Sequence, residues 1–388
     1  MPENILQSVF WLLVGLILYT YLFFPALLYF ARRGQKIASP PGGEQQLPPL
    51  SILLAVHNEA AIMEERLNNL LKTQYPAEVE ILIGTDACTD ATDALIAERA
   101  LQDARLRHFR FPERQGKPNI INQLVAHSRH EILVLTDAGI LFAPKTLEKL
   151  ARHFLDQRVG LVNALEINRR NEAGQQPEST YLGLEGMIKH KEGLIFGAVI
   201  GANGPCYAMR KKLYRPTPPT FIVDDFYIGM QVLLQHKRCI LDPEALAIRP
   251  PLRAAGKAFR RRVRISAGNF QNLFHFFLPS FRLKLGAGWC YLSHKVLRWC
   301  VPFFLIASYV LNIFLLAVHP LYILTLVGQT SLLALAALSA VLARHAPKML
   351  KSIGHFYYMN LALLVGFIRY VRGIKSNAWN PTQRTATS

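Results

Sequence analysis

The chain has 388 residues, 51% of them hydrophobic, and a formal net charge of +18. A soluble domain this apolar is rarely so basic, so the balance points to an anionic membrane surface and anionic ligands as partners. No zinc finger, RNP motif or basic zipper is present, which sets nucleic acid aside; the five cysteines (Cys88, Cys206, Cys239, Cys290, Cys300) lack CxxC or CxxH spacing and read as reduced thiols, excluding a disulfide framework or a zinc site.

The first predicted element is a transmembrane anchor over 1–33. No residue from Ile5 to Phe30 is charged, a length that crosses a bilayer core of roughly 30 Å, and the run closes on Arg32 and Arg33. Basic residues on the C-terminal side of the apolar run, with no small-residue cleavage site, argue against a signal peptide. Arg32, Arg33 and Lys36 place the adjoining domain on the cytoplasmic side of the inner (plasma) membrane. A Pro- and Gly-rich linker over 34–49 leads into that domain, over 50–248.

In that domain the pattern alternates. "LSILLAV" (50–56) is a buried strand and residues 59–74 an amphipathic helix; "VEILIGTD", "ATDALIAERALQ" and "EILVLTD" continue as strand, helix and strand. The predicted fold class is α/β, a mostly parallel sheet with helices on both faces, flanked by transmembrane helices. Ligands of such sheets bind beyond the carboxyl ends of the strands. His57, Asn58 and Glu59, then Asp86 and Asp90, then Asp137 fall at those ends.

Further on, "GANGPCYAMRKKLY" (201–214) is a Gly-rich turn suited to close backbone approach to a ligand, with Asn203 and Gly204 as acceptor-side candidates. "TFIVDDFYIGMQVLLQ" (220–235) opens a helix on Asp224 and Asp225, which suit a helix N-terminus or a general base. Residues 249–288 hold basic and aromatic interfacial helices, with seven basic residues before Ile265. Residues 289–371 are read as C-terminal transmembrane helices: a charge-free hairpin from Trp299 to Ala343 and a shorter apolar run over 352–368, before a basic tail over 372–388. Three crossings after a cytoplasmic domain would put that tail outside, against the positive-inside tendency, unless one segment lies in the interface.

Taken in order, these pieces resemble the membrane-anchored family 2 glycosyltransferases of GT-A, inverting type, which include cellulose, hyaluronan and poly-N-acetylglucosamine synthases. "LAVHNEA" resembles the first-strand motif, with His57 in place of tyrosine and Asn58 and Glu59 retained. "GTDACTD" implies Asp86 as the acid that holds the nucleotide base, and "GKPNIIN" implies Lys117 in donor binding. "LTDAG" stands where the family carries Asp-x-Asp and implies that Asp137 meets the donor's ribose, diphosphate or metal. "VDDF" resembles the catalytic-base motif, with Asp225 as base and Asp224 beside it. "RRVRI" stands for Gln-x-x-Arg-Trp, with Arg264 as its arginine, Arg261 for the glutamine and Ile265 for the tryptophan.

The resemblance implies a nucleotide-sugar donor, a lipid or glycan acceptor, and Mg²⁺ or Mn²⁺ resting on Asp137, because Gly139 removes the second acid. Ile265 leans away from a long polymer and toward transfer of a single sugar. The rival from another class is a non-catalytic nucleotide-binding membrane subunit or sensor, which Gly139 and Ile265 favour.

Overall fold

Residues 3–31, 47–168, 177–249, 258–342 and 345–374 are described in the computed structural model. The Arg32, Arg33 and Lys36 cluster, most of the linker, and the tail beyond Ile374 lie outside them. In chain order the elements are α1 (Glu3–Leu18), α2 (Phe24–Phe30), β1 (Leu50–Val56), α3 (Ala60–Leu71), β2 (Val79–Asp86), α4 (Thr92–Gln102), β3 (Leu106–Phe111), α5 (Lys117–His127), β4 (Ile132–Thr136), β5 (Leu141–Phe142), α6 (Thr146–Ala151), β6 (Val159–Asn168) and α7 (Pro177–Phe196). Then come β7 (Cys206–Arg210), α8 (Asp224–Leu234), β8 (Arg238–Arg249), α9 (Ala258–Phe276), α10 (Leu285–Cys290), α11 (Leu297–Leu315), α12 (Pro320–Leu342) and α13 (Lys348–Val371).

Among the described residues eight strands form one sheet in the order β3-β2-β1-β4-β7-β6-β8-β5. From β3 to β4 all neighbours are parallel, and every residue of β1 and β4 is buried, as expected for strands covered on both faces. The second half is mixed. β7 runs antiparallel to β4 and β6, and β5 antiparallel to β8. One face packs α3, α4 and α6 through Met63, Leu67, Ile96 and Leu147. The other packs α5, α8 and α9, and its core continues without a break into Tyr291 and Trp299 at the foot of the membrane helices.

Among the described residues three helices are long and apolar enough to cross a membrane: Glu3–Phe30, where α1 runs into α2 through a π-turn, Leu285–Leu315, where α10 runs into α11 through another, and Pro320–Leu342. The first lies along the second: Tyr19 meets the Ser293 hydroxyl at 2.8 Å, and the Phe24 and Trp289 rings sit 5.1 Å apart. α13, which contains the shorter apolar run, is not among the three. It lies alongside α9 and points the same way, with Phe259 against Tyr358 at 5.2 Å, Phe270 against Phe367 at 5.1 Å, and Phe274 stacked on Tyr370 at 5.3 Å. Gly366 lets the two backbones close at Ser266.

Candidate active site

Strand order reverses between β1 and β4, which opens a crevice at their carboxyl ends. Asp137 extends from β4 into that crevice. Because β7 runs against β4, with Thr136 opposite Cys206, the loop before β7 arrives beside Asp137. The Asp137 N–H and the Thr136 hydroxyl both donate to the Pro205 carbonyl, at 3.2 and 3.0 Å. α5 starts from the neighbouring loop, and its first residue, Lys117, donates to Asp137 Oδ1 at 2.8 Å. Gly116 ahead of it has φ of 84°, a conformation that favours glycine.

The paired acids open α8, where the helix dipole favours negative charge. Lys117 Nζ stands 3.8 Å from Asp224 Oδ2, so one ammonium bridges two carboxylates. Asp225 accepts from the Phe226 N–H at 2.7 Å, and a methyl on Gly204 would collide with its other oxygen. α9 is fastened across the segment before the acids: Asn272 donates to the Val223 carbonyl at 3.1 Å, and the Ile222 N–H donates to Gln271 at 3.2 Å. Arg264 and Arg261 stand two and three turns upstream of Asn272 and are thereby carried toward the acids. Arg264 lies in the field of Asp224 and Asp137, and Arg261 in that of Asp137 and Glu166.

The charges tune one another. Burial would lower the Lys117 ammonium, but Asp137, Asp224 and Asp225 together raise it above its ordinary value. Burial, then the neighbouring Asp224, push Asp225 up to about 6, with Lys117 and Lys189 working the other way. A half-buried carboxylate poised near neutrality beside a cationic wall can act as a general base.

Lys117, Asp137, Asp224, Asp225, Arg261 and Arg264 thus gather at one place, with Asn203 and Gly204 beside Asp225. Asn58, Glu59 and Asp86 form a second group on the β2 side. Asp86 is fully buried, and its carboxylate accepts from the Gln115 and Gly116 N–H groups at 2.7 and 3.0 Å and from Arg114 at 2.9 Å. Its side chain is turned into the loop that launches Lys117. Asn58 (φ 50°) pairs its amide with Thr89 at 3.0 and 2.8 Å, while the Glu59 N–H donates to the Thr92 hydroxyl at 3.0 Å.

Sequence reasoning missed Arg66, Arg114 and Lys189. Arg66 is 1% exposed; it donates to Thr136 Oγ1 and Asn69 Oδ1, both at 3.1 Å, and lies over the Phe142 ring. The signal was there, since Arg66 shares the buried face of α3 with Ile62, Met63, Leu67 and Leu70. An arginine on a core face is costly unless something uses its charge, and Asp137 is one of the groups acting on it. Among the described residues no group of three or more His, Cys, Asp or Glu is placed to hold a metal. Asp137, its side chain 31% exposed, is the acid at the crevice mouth.

Residues 51–216 match the family described as Glycosyl transferase family 2. Among curated proteins, the poly-beta-1,6-N-acetyl-D-glucosamine synthase of Staphylococcus epidermidis is 24% identical over 250 residues, 62% of this chain and 59% of the relative. The synthase of the same name from Staphylococcus aureus strain COL is 25% identical over 292 residues, 72% of this chain and 67% of the relative. The chain therefore aligns with less than two thirds of the first relative's length. Among solved structures, the mannosyltransferase PcManGT from Pyrobaculum calidifontis, in complex with GDP-Man and Mn2+, superposes with a TM-score of 0.71 at 20% identity over 94% of this chain and 99% of that one. That likeness shows a shared fold.

Proposed function

From the glycosyl transferase family 2 domain that this chain carries over residues 51–216, we infer that the protein transfers a sugar from a nucleotide diphosphate donor to a lipid or glycan acceptor, with inversion, at the cytoplasmic face of the membrane. Its product belongs to cell-surface polysaccharide or glycolipid synthesis. The observation that carries the reading is the convergence of the Lys117 ammonium on Asp137 and Asp224, beside a half-buried Asp225. A general base and a cation set for a departing diphosphate need this arrangement.

In the proposed reaction Asp225 takes the proton of the acceptor hydroxyl as its oxygen bonds to the anomeric carbon from the face opposite the diphosphate. The bond from that carbon to the diphosphate oxygen breaks, and Arg264, Arg261 and Lys117 neutralise the charge that accumulates there. Asp137 meets the donor at the crevice mouth. Asn58, Glu59 and Asp86 line its nucleoside side, Asp86 acting through the turn that holds Arg114 and Lys117. Asn203 and Gly204 border the acceptor.

Asp137 is also the residue that would hold Mg²⁺ or Mn²⁺. The fit is that of a cation with one protein carboxylate, since Gly139 adds no ligand and Lys117 already engages one Asp137 oxygen; Mg²⁺ tolerates this, keeping water and substrate oxygens in its shell. Such an ion would add neutralising charge at the diphosphate.

In the membrane, Glu3–Phe30, Leu285–Leu315 and Pro320–Leu342 cross, while α13 lies in the interface beside α9. This arrangement returns the chain to the cytoplasmic side and keeps the basic tail there, as the positive-inside tendency asks.

The test is nucleotide release by the purified full-length protein from a panel that includes UDP-N-acetylglucosamine and GDP-mannose, with Mg²⁺ or Mn²⁺. Asp225→Asn should abolish release while leaving nucleotide binding intact. Full turnover by that variant overturns the assignment.

A further inference from the structure

α7 carries a charged face into the interior, where the catalytic domain meets the membrane helices. Glu192 is fully buried and sits 2.7 Å from Nδ1 of the equally buried His294; Glu185 lies 3.0 Å from the other ring nitrogen. Lys295 and Arg298 add ion pairs to Glu185 at 2.7 and 2.9 Å. Burial would raise Glu185, but His294, Lys295 and Arg298 hold it well below the usual carboxylate range. This end of the cluster is saturated with partners.

Lys189, between the two glutamates on the same helix, is different. It is 8% exposed, and its ammonium donates to Asn203 Oδ1 over a long 3.5 Å. It borders a cavity of about 20 Å³, room for about one water molecule, walled by Leu165, Glu166, Glu185, Asn203 and Leu241. Asn203 is aimed at it by two anchors: its N–H donates to Asn163 Oδ1 at 2.6 Å, and its Nδ2 donates to the Ala164 carbonyl at 2.9 Å. The next residue, Gly204, abuts the Asp225 carboxylate. A buried cation therefore stands directly behind the acceptor side of the site.

We propose that Lys189 is a positioning residue for the transfer reaction: its ammonium, held by Asn203 and backed by the Glu185 and His294 cluster, keeps the Asp225 carboxylate charged and in place to receive the acceptor's proton. This rests on Asp225 being the base. The groups that face Asp225 are Asp224 on its own helix, Lys117 from α5, Lys189 from α7 and the Tyr207 phenol from β7. Burial, then Lys295 from the π-turn before α11, lower the Lys189 ammonium from its ordinary value, while Glu185, Asp225 and Glu192 work the other way. Asp224 opposes the charge on Asp225, and the two lysines favour it. Removing one of them makes the base harder to ionise, which moves the acid side of the rate profile to higher pH.

The experiment measures nucleotide release by the full-length protein in lipid nanodiscs from about pH 5 to about pH 9, with UDP-N-acetylglucosamine and GDP-mannose as donors. The wild-type rate should rise through about pH 6. In Lys189→Gln that limb should move up by about one unit or more, with most of the rate regained at alkaline pH and the donor KM unchanged. Lys189→Arg, which keeps the charge, should match the wild type. A limb that stays in place in Lys189→Gln, or a loss equal at every pH with a lowered Tm, would make Lys189 a structural residue and overturn the proposal. Asp225→Asn separates the two ideas. If it is inactive and the Lys189→Gln limb does not move, only the role of Lys189 falls; if it turns over, the base assignment falls and the role of Lys189 with it.

Discussion

Gly204 has no room for a side chain, because a methyl group there would run into the Asp225 carboxylate. In the proposed reaction the close approach matters, because proton transfer and in-line attack tolerate little displacement of a general base. Gly204→Ala should therefore lower kcat about 100-fold, the cost typical of a misplacement near 1 Å. Circular dichroism and Tm should stay close to the wild type; a kcat within a few-fold of wild type would show that the carboxylate can move without penalty. Arg66 makes the complementary point from beneath the crevice. It is a cation buried where hydrophobic packing would be easier, under the loop that carries Asp137.

At the scale of elements, the turn between β3 and α5 shows how a buried acid can shape a site through its neighbours. Asp86 at the end of β2 gathers Arg114 and the N–H groups of Gln115 and Gly116, and the positive φ of Gly116 then points Lys117 at Asp137. Gly116→Ala should destabilise the protein by about 1–3 kcal/mol, the cost of a side chain at φ 84° and ψ 153°, a conformation essentially confined to glycine, read as a lowered Tm. It should also weaken UDP and GDP binding as Lys117 shifts. Unchanged stability and binding together would mean that the turn is not under this constraint.

Much of this half was legible in the sequence. Alternating strand and helix patterns that ended in Asp86 and Asp137 located the crevice, and two acids read at a helix start do open α8, beside Lys117. The rest depended on partners far away in the chain. Lys189 is buried against Leu165, Leu241 and Asn203 from distant strands and the loop before β7, and nothing near position 189 announces that. Nor does any local pattern show that β7 runs against β4, which is what delivers Asn203 and Gly204 to Asp137.

The whole molecule is organised by where its apolar surface ends. α12 exposes Ile323, Leu324, Val327 and Val341, whereas α13 turns its aromatic face onto α9 and carries Lys348, Lys351 and Arg369. In the proposed topology the turn at His319 lies outside and the end of α13 inside. Single cysteines at His319 and Gly373, in a background where the five native cysteines are replaced, should give opposite results with a membrane-impermeant maleimide. His319→Cys should label in intact cells, and Gly373→Cys only after the membrane is opened. External labelling of Gly373→Cys would require α13 to cross.

The ion cluster at the foot of α11 bears on modularity. Glu185 and Glu192 belong to the catalytic domain, while His294, Lys295 and Arg298 belong to the membrane helix. Cutting the chain between them would strip two interior carboxylates of their counter-charges, a loss of the kind that unfolds marginal proteins. The catalytic half is thus no detachable cassette but one side of a joint, and its chemistry is inherited only together with the helices that seat it.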